Sequence, residues 1–315
     1  RFKETSEGKQ GIFFYIKNLS FNNIWSTVPE KNENNRITFE PSKTKYVKTV
    51  GNIETDEEIT VAPDEAVEIR RLKLKNIGLN FETLEVTSYF EPVLSRAEQD
   101  YAHPAFNNLF LNFEKLDIGA ILVKRNKRGS SQKEYYLGAS FFTESETIGD
   151  LEYEIEKERF IGKQNNKIPD MIKYSKPYSK NSGMVTDPVI AMKRTIKLSP
   201  GETVSLDLIL AVDEQKDKVI DNLNKYQNTN VITKTFELAK AKVEAENIYL
   251  GVKGKNIETY QKMLGYLLFQ NPTNNEKLKA LPKRIYSQSE LWKFGISGDL
   301  PILLAKIKDA NDVYI

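Results

Sequence analysis

The chain has 315 residues, 39% hydrophobic and 29% charged, with a net charge of +2, one histidine and no cysteine. That length supports a large core, and the near-neutral balance offers a phosphate backbone little attraction, so nucleic acid is not an expected partner. Disulfides, thiolate metal sites and thiol nucleophiles are excluded, and His103 alone cannot build a multi-histidine metal centre.

From Gly11 to about Val212 the apolar residues recur mainly with period two, the pattern of half-buried strands. Strands are expected at 11–17, 36–39, 46–50 and 59–61. A pair follows: Val67 to Leu74, a turn through Asn76-Ile77-Gly78, and a return carrying Leu84, Val86, Ser88 and Phe90. The alternation slips at Arg70-Arg71, which a β-bulge would explain. Further strands are expected at 109–113, 120–124, 134–142 and 151–155. The clearest pattern is a hairpin: Ile190, Met192, Ile196 and Leu198 on one strand, a turn at Ser199-Pro200-Gly201-Glu202, and Val204, Leu206, Leu208 and Leu210 on the return. Many strands without intervening helices predict an antiparallel sandwich.

After Val212 the period becomes helical. Asp213 is placed to cap a helix bearing Val219, Leu223 and Tyr226, followed by a stripe of Ile232, Phe236, Ala239 and Val243. Asn256 starts another helix with Ile257, Tyr260, Leu264, Leu267 and Leu268, stopped at Asn271-Pro272. Asp299 and Pro301 read as the cap and first turn of a last helix with Leu303, Leu304 and Ile307. The expected division is a β-sandwich at 1–212, a helical linker at 213–287 and the start of a helical domain at 288–315, the whole reading as a fragment of a longer protein. No apolar run approaches the ~20 residues of a spanning helix, and the N-terminus does not resemble a signal peptide.

Candidate sites are few. His103 beside Asp100 suggests a base with its orienter, but a proline-fixed connection with a hydrogen-bonded histidine and a buried Phe106 explains the same residues more simply. Glu154, Glu156, Glu158 and Arg159 lead into Phe160-Ile161-Gly162-Lys163 and a long polar stretch from Gln164 to Gly183. Asn165, Asn166, Lys167, Tyr174 and Tyr178 there offer the amides, charge and ring faces that glycan recognition uses, although a solvated loop without a ligand has the same composition. Gly295-Ile296-Ser297-Gly298-Asp299 lacks the lysine of a phosphate loop, and Trp292 and Phe294 suit either a sugar or a packed interface. Carboxylates abound, but spacing alone singles out no glycosidic acid.

Several stretches, taken in order, resemble glycoside hydrolase family 94 and the cyclic β-1,2-glucan synthases. They are Ser88 to Leu94, Asp100 with His103-Pro104-Ala105-Phe106 and Leu109-Phe110, Arg159 to Lys163, Asp187 to Ala191, Leu198 to Thr203, and Gln288 to Trp292 with Gly295 to Ile302. The resemblance implies a galactose-mutarotase-like supersandwich, linker helices and a following helical barrel that holds the catalytic aspartic acid. Inorganic phosphate would be the co-substrate of the whole protein, with no cofactor. It further implies a β-glucan oligosaccharide as partner, a homodimer contact, and a cytoplasmic setting with the whole protein attached to the inner membrane. Catalytic residues are then expected outside this chain and no metal site is expected, with Arg159, Lys163, Tyr174 and Trp292 as sugar contacts. The resemblance places arginine where Lys163 stands, and lysine lacks arginine's two-pronged donor. A free-standing glycan-binding module is the alternative, and a mutarotase-like epimerase, short of histidines, is a weaker one.

Overall fold

The computed structural model describes residues 11–27, 35–127, 129, 133–162, 168–268 and 288–297. Two antiparallel sheets dominate it. The small sheet has the order β11 (Glu152–Glu156), β13 (Pro188–Leu198), β7 (Glu82–Phe90), β1 (Phe13–Asn18), β2 (Asn23–Ser26). The large sheet runs β12 (Gly183–Met184), β8 (Leu111–Leu116), β9 (Ala120–Arg125), β10 (Tyr136–Phe142), β14 (Thr203–Asp213), β6 (Val67–Asn76), β5 (Ile53–Val61), β4 (Thr44–Val50), β3 (Asn35–Phe39). Short helices α1 (Ala97–Ala102), α2 (Pro104–Asn108), α3 (Lys157–Ile161) and α4 (Asp170–Lys173) interrupt the strands. Helices α5 (Lys216–Tyr226), α6 (Thr229–Tyr249) and α7 (Lys255–Leu268) follow, then a 3-10 helix at Gln288–Phe294.

The expected hairpin is not a hairpin. β13 pairs with β7 and β11, whereas β14 pairs with β6 and β10, so the turn at Ser199–Glu202 carries the chain from one sheet to the other. Ile190, Met192, Ile196 and Leu198 therefore meet the layer of Val204, Leu206, Leu208 and Leu210 face to face in the core. Alternation tells which side of a strand is apolar, and two strands across a sandwich satisfy it as well as two neighbours in a sheet. β6 and β7 make a second crossing of the same kind, beside the first.

Asn76, fully buried, ties the two crossings together. Its Nδ2 donates to the carbonyls of Asn80 (2.7 Å) and Leu198 (3.2 Å), and its Oδ1 accepts from Gly78 N–H at 2.9 Å. Its backbone joins the turn opposite, donating to Glu202 O at 3.0 Å and accepting from Gly201 N–H at 2.9 Å.

The bulge expected at Arg70-Arg71 is also absent. The register of β6 is unbroken against both β5 and β14. The slip has another cause: Val67 and Ile69 pack outward, towards the helices, while Leu72 and Leu74 pack inward between the sheets. Arg70 turns inward, donating to Ile12 O at 3.0 Å and lying 3.5 Å from Glu57. Arg71 turns outward, where it pairs with Asp207 at 2.9 Å and bonds Thr233 Oγ1 at 2.9 Å on α6. Burial pushes the Asp207 carboxyl up, and Arg71 works against that shift.

The large sheet's outer face is covered by α5 and the start of α6, through Val219, Leu223, Tyr226 and Ile232. α5 lies so close to β10 that a Cβ on Gly138 would sit 2.6 Å from Leu223 Cδ1 and 2.7 Å from Val219 Cγ1. The first compact unit consequently runs past the expected boundary near Asp213, to Val243, and a second comprises Glu244–Ile315. Asp213 does not cap α5; it ends β14, and its Oδ1 accepts from Gln215 N–H at 2.8 Å. The helix expected after Asp299 lies outside the described residues.

Two outcomes follow. Asn76→Ala leaves buried carbonyls and an N–H unpaired, so it should lower unfolding free energy by about 3 kcal/mol in denaturant titration. Glu58, on β5, accepts from Lys43 at 2.7 Å and Lys73 at 3.0 Å. Burial alone would raise its carboxyl, but these ammonium groups overcome it and hold it at about 2, against 4.5 unperturbed. Its stabilisation is complete above the unfolded value and lost as pH falls from 4.5 towards 2. Glu58→Gln should remove up to about 3 kcal/mol of the stability lost across that acid window, read as a flatter pH dependence.

Candidate functional site

The outer face of the small sheet carries a cap rather than solvent. After β11 the chain forms α3 and α4 and returns along 174–187 to β13. Phe160, Ile161, Met171, Ile172 and Tyr178 cover Phe13, Tyr15, Tyr89, Val189 and Ala191 of the sheet. Phe160 stacks on Tyr89 at 5.1 Å between ring centroids and meets Tyr178 edge-on at 6.5 Å. Lys17, on β1, sends its buried ammonium to the carbonyls of Ile172 (3.1 Å) and Lys173 (3.3 Å) and to Ser175 Oγ (2.7 Å), closing the C-terminal end of α4.

Over its described part, 168–183, this cap corrects the expectation of a solvated loop from 164 to 183. Tyr178 is not a free ring face for sugar: it is buried, its hydroxyl lies 3.1 Å from Thr87 Oγ1, and burial pushes its phenol well above the ordinary value. Tyr174 is the exposed one, at 59%, with the ammonium groups of Lys173 and Lys176 at 5.2 and 5.6 Å from its ring centroid.

The polar centre of the cap is Glu154. A register irregularity between Glu154 and Glu156 interrupts β11, and the Glu154 side chain is fully buried. Its Oε1 accepts from Ile155 N–H (3.0 Å), Glu156 N–H (3.1 Å) and Ser179 Oγ (2.8 Å). Its Oε2 accepts from Arg159 Nε (3.2 Å) and Ser179 N–H (3.1 Å). One carboxylate thus joins the strand, the α3 turn and the return segment. Gly162 closes α3 at φ 90°, where a Cβ would lie 2.2 Å from Asp170 Oδ2, so only glycine lets α3 and α4 approach this closely.

Of the expected sugar contacts, Arg159 and Tyr174 both lie on this cap, whereas Lys163, with Asn165, Asn166 and Lys167, falls outside the described residues. Trp292 belongs to the second unit, 66% exposed, its indole donating to Ser297 O at 3.2 Å. His103 sits at the exposed joint of α1 and α2, its backbone bonded to Gln99 and Asn107. No hydrogen bond links its ring to a described residue. Phe106, expected in the core, is 50% exposed, with an edge-on contact to Phe110. Sequence reasoning named Glu154 only as one of the acids leading into the Phe160–Lys163 turn and passed over Ser179, because an acidic residue between Tyr153 and Ile155 reads as solvent-facing when the cap cannot be foreseen.

A second concavity, of about 380 Å³, opens between the sheets at the end away from Asn76. Ile12, Val67, Phe90, Val93, Leu137 and Leu210 make most of its wall apolar. Its two carboxylates are already paired, Glu68 with Arg70 at 2.6 Å and Glu91 with Lys157 at 2.8 Å. Such a wall suits hydrocarbon better than the hydroxyls of a sugar.

The family model for the glycosyl hydrolase 94 supersandwich domain matches residues 2–229. The chain belongs to this family. The whole chain is 26% identical, over 98% of its length, to the cyclic beta-(1,2)-glucan synthase NdvB of Rhizobium meliloti (strain 1021), and spans 11% of that relative. Among solved structures, a bacterial glucoamylase complexed with acarbose overlaps 75% of this supersandwich chain and 31% of its own, at 9% identity and TM-score 0.48. A putative kojibiose phosphorylase from human microbiome overlaps 72% and 27%, at 7% identity and TM-score 0.42. No described helix of the supersandwich chain is long and apolar enough to cross a membrane.

The two tyrosines of the cap should separate cleanly on substitution. Tyr178→Ala is expected to lower stability by about 3–5 kcal/mol through loss of buried ring and packing, while Tyr174→Ala should change it by less than about 0.5 kcal/mol, both measured by chemical denaturation.

Proposed function

We propose that this supersandwich is a non-catalytic, carbohydrate-associated domain of a longer protein that makes or phosphorolyses β-glucans. The observation that carries the reading is identity to a cyclic β-(1,2)-glucan synthase along almost the whole chain. It is supported by the chemistry of the two concave or polar surfaces. The apolar cleft has both carboxylates engaged with cations, and the cap exposes a guanidinium and a tyrosine ring, groups that bind sugar without cleaving it. In this reading Arg159, Lys163, Tyr174 and Trp292 contact a β-glucan oligosaccharide. The acid that protonates the leaving oxygen belongs to a helical barrel following in the longer protein, which uses inorganic phosphate and no cofactor. The setting is cytoplasmic, with the longer protein held at the inner membrane and a homodimer as its assembled form.

The test is release of sugar 1-phosphate from β-1,2-glucooligosaccharides and phosphate, by the 315-residue chain and by the longer protein that contains it. Activity confined to the longer protein is expected. Turnover by the short chain would mean that the catalytic acid lies within it.

A further inference from the structure

Arg159 is held at one end and open at the other. Glu154 takes its Nε, and the two terminal nitrogens have no hydrogen-bond or ion-pair partner among the described residues, although the side chain is only 49% exposed. An arginine on the surface normally samples many rotamers, and a ligand must then bear the cost of ordering it. Here that ordering is done in advance by a carboxylate that is itself immobile, gripped by backbone and side chain from both sides of the cap. The result is a planar fork of donors fixed in direction and directed away from its anchor.

We infer that Glu154 is a positioning residue that presents the terminal nitrogens of Arg159 as a preorganised fork for two neighbouring hydroxyls of a β-glucan. The inference rests on the glucan reading above and deepens it. Local charge selects a neutral ligand over an anion. The Arg159 charge is offset by Glu154, and Glu156 and Glu158, in the same stretch, have no ion-pair partner among the described residues. Within 154–159 three carboxylates stand against Lys157 and Arg159, so the stretch carries no net positive charge to draw a phosphate, whereas hydroxyls need none.

Glu154→Gln separates the role from mere structure. The amide oxygen can still accept from Ile155 N–H, Glu156 N–H and Ser179 Oγ, but the amide nitrogen cannot accept from Arg159 Nε or from Ser179 N–H. Affinity for a β-1,2-glucooligosaccharide of defined length, followed by NMR titration of the full chain, should fall about tenfold in Arg159→Ala, nearly as far in Glu154→Gln, and no further in the double variant. Ser179→Ala, which leaves Arg159 gripped, should stay within about twofold of the unsubstituted chain. Additive losses, or an unchanged affinity in Glu154→Gln, would overturn the proposal. If Glu154→Gln does not fold, Arg159→Lys carries the test, since a lysine offers no fork and should lose as much as alanine; retained affinity counts against the role. Inorganic phosphate competing at the site, or steep dependence on ionic strength, would defeat the choice of a neutral ligand. A ligand-free readout keeps the two readings apart. The Arg159 Nε–H resonance should be sharp and slow to exchange, and lost in Glu154→Gln. A disordered resonance in the unsubstituted chain refutes the positioning role by itself. An ordered one with no glucan affinity refutes the glucan reading instead, together with the hydroxyl-binding half of this inference.

Discussion

Two crossings between sheets lie side by side at one end of the sandwich, and the amide of Asn76 holds each to the other. Because β6 and β14 are neighbours in the large sheet, and β7 and β13 in the small one, this one join sets the spacing of both layers at once. A side chain that donates to a carbonyl in each crossing and accepts from a backbone N–H of its own crossing, with no exposure to water, tolerates little displacement. Everything farther along the strands follows from it: the shared core, the opening at the far end and the height at which β11 delivers the cap.

The same device recurs wherever a new layer is added. Arg71 and Asp207 fasten α6 to the large sheet, Lys17 fastens α4 to the small one, and Glu154 gathers the cap around itself. Apolar contact provides the adhesion in each place, but it has no direction. The buried polar groups supply direction, because an unpaired donor or carboxylate in the interior is far more costly than a shifted methyl group.

Much of the architecture is legible in the sequence, and the gaps have physical causes. Val219, Leu223 and Tyr226 announce their helix by spacing, and most strands announce themselves by alternation. β2 escapes notice because Ile24 and Trp25 are isolated among polar residues, and β12 because two residues carry no pattern. Partnership is another matter: alternation in Ile190 to Leu210 defines a face but does not say whether the matching face lies beside it or across the core. At the candidate site Arg159 and Tyr174 stand out by residue type, whereas the burial of Tyr178 and the role of Glu154 depend on a cap whose existence only the folded chain reveals.

The side-by-side crossings also impose an order of events on synthesis. Asn76 and Leu198 are 122 positions apart, so the contact that closes the sandwich joins parts of the chain made at very different times. Until β13 and β14 emerge, β6 and β7 have partners on one side only, β5 and β1, and each offers an open edge to any other strand nearby. The first half of the domain therefore cannot settle early as an independent unit, and contacts so remote in sequence form slowly. A growing chain stalled short of residue 198 would be the form most exposed to aggregation, and the one with most need of a chaperone.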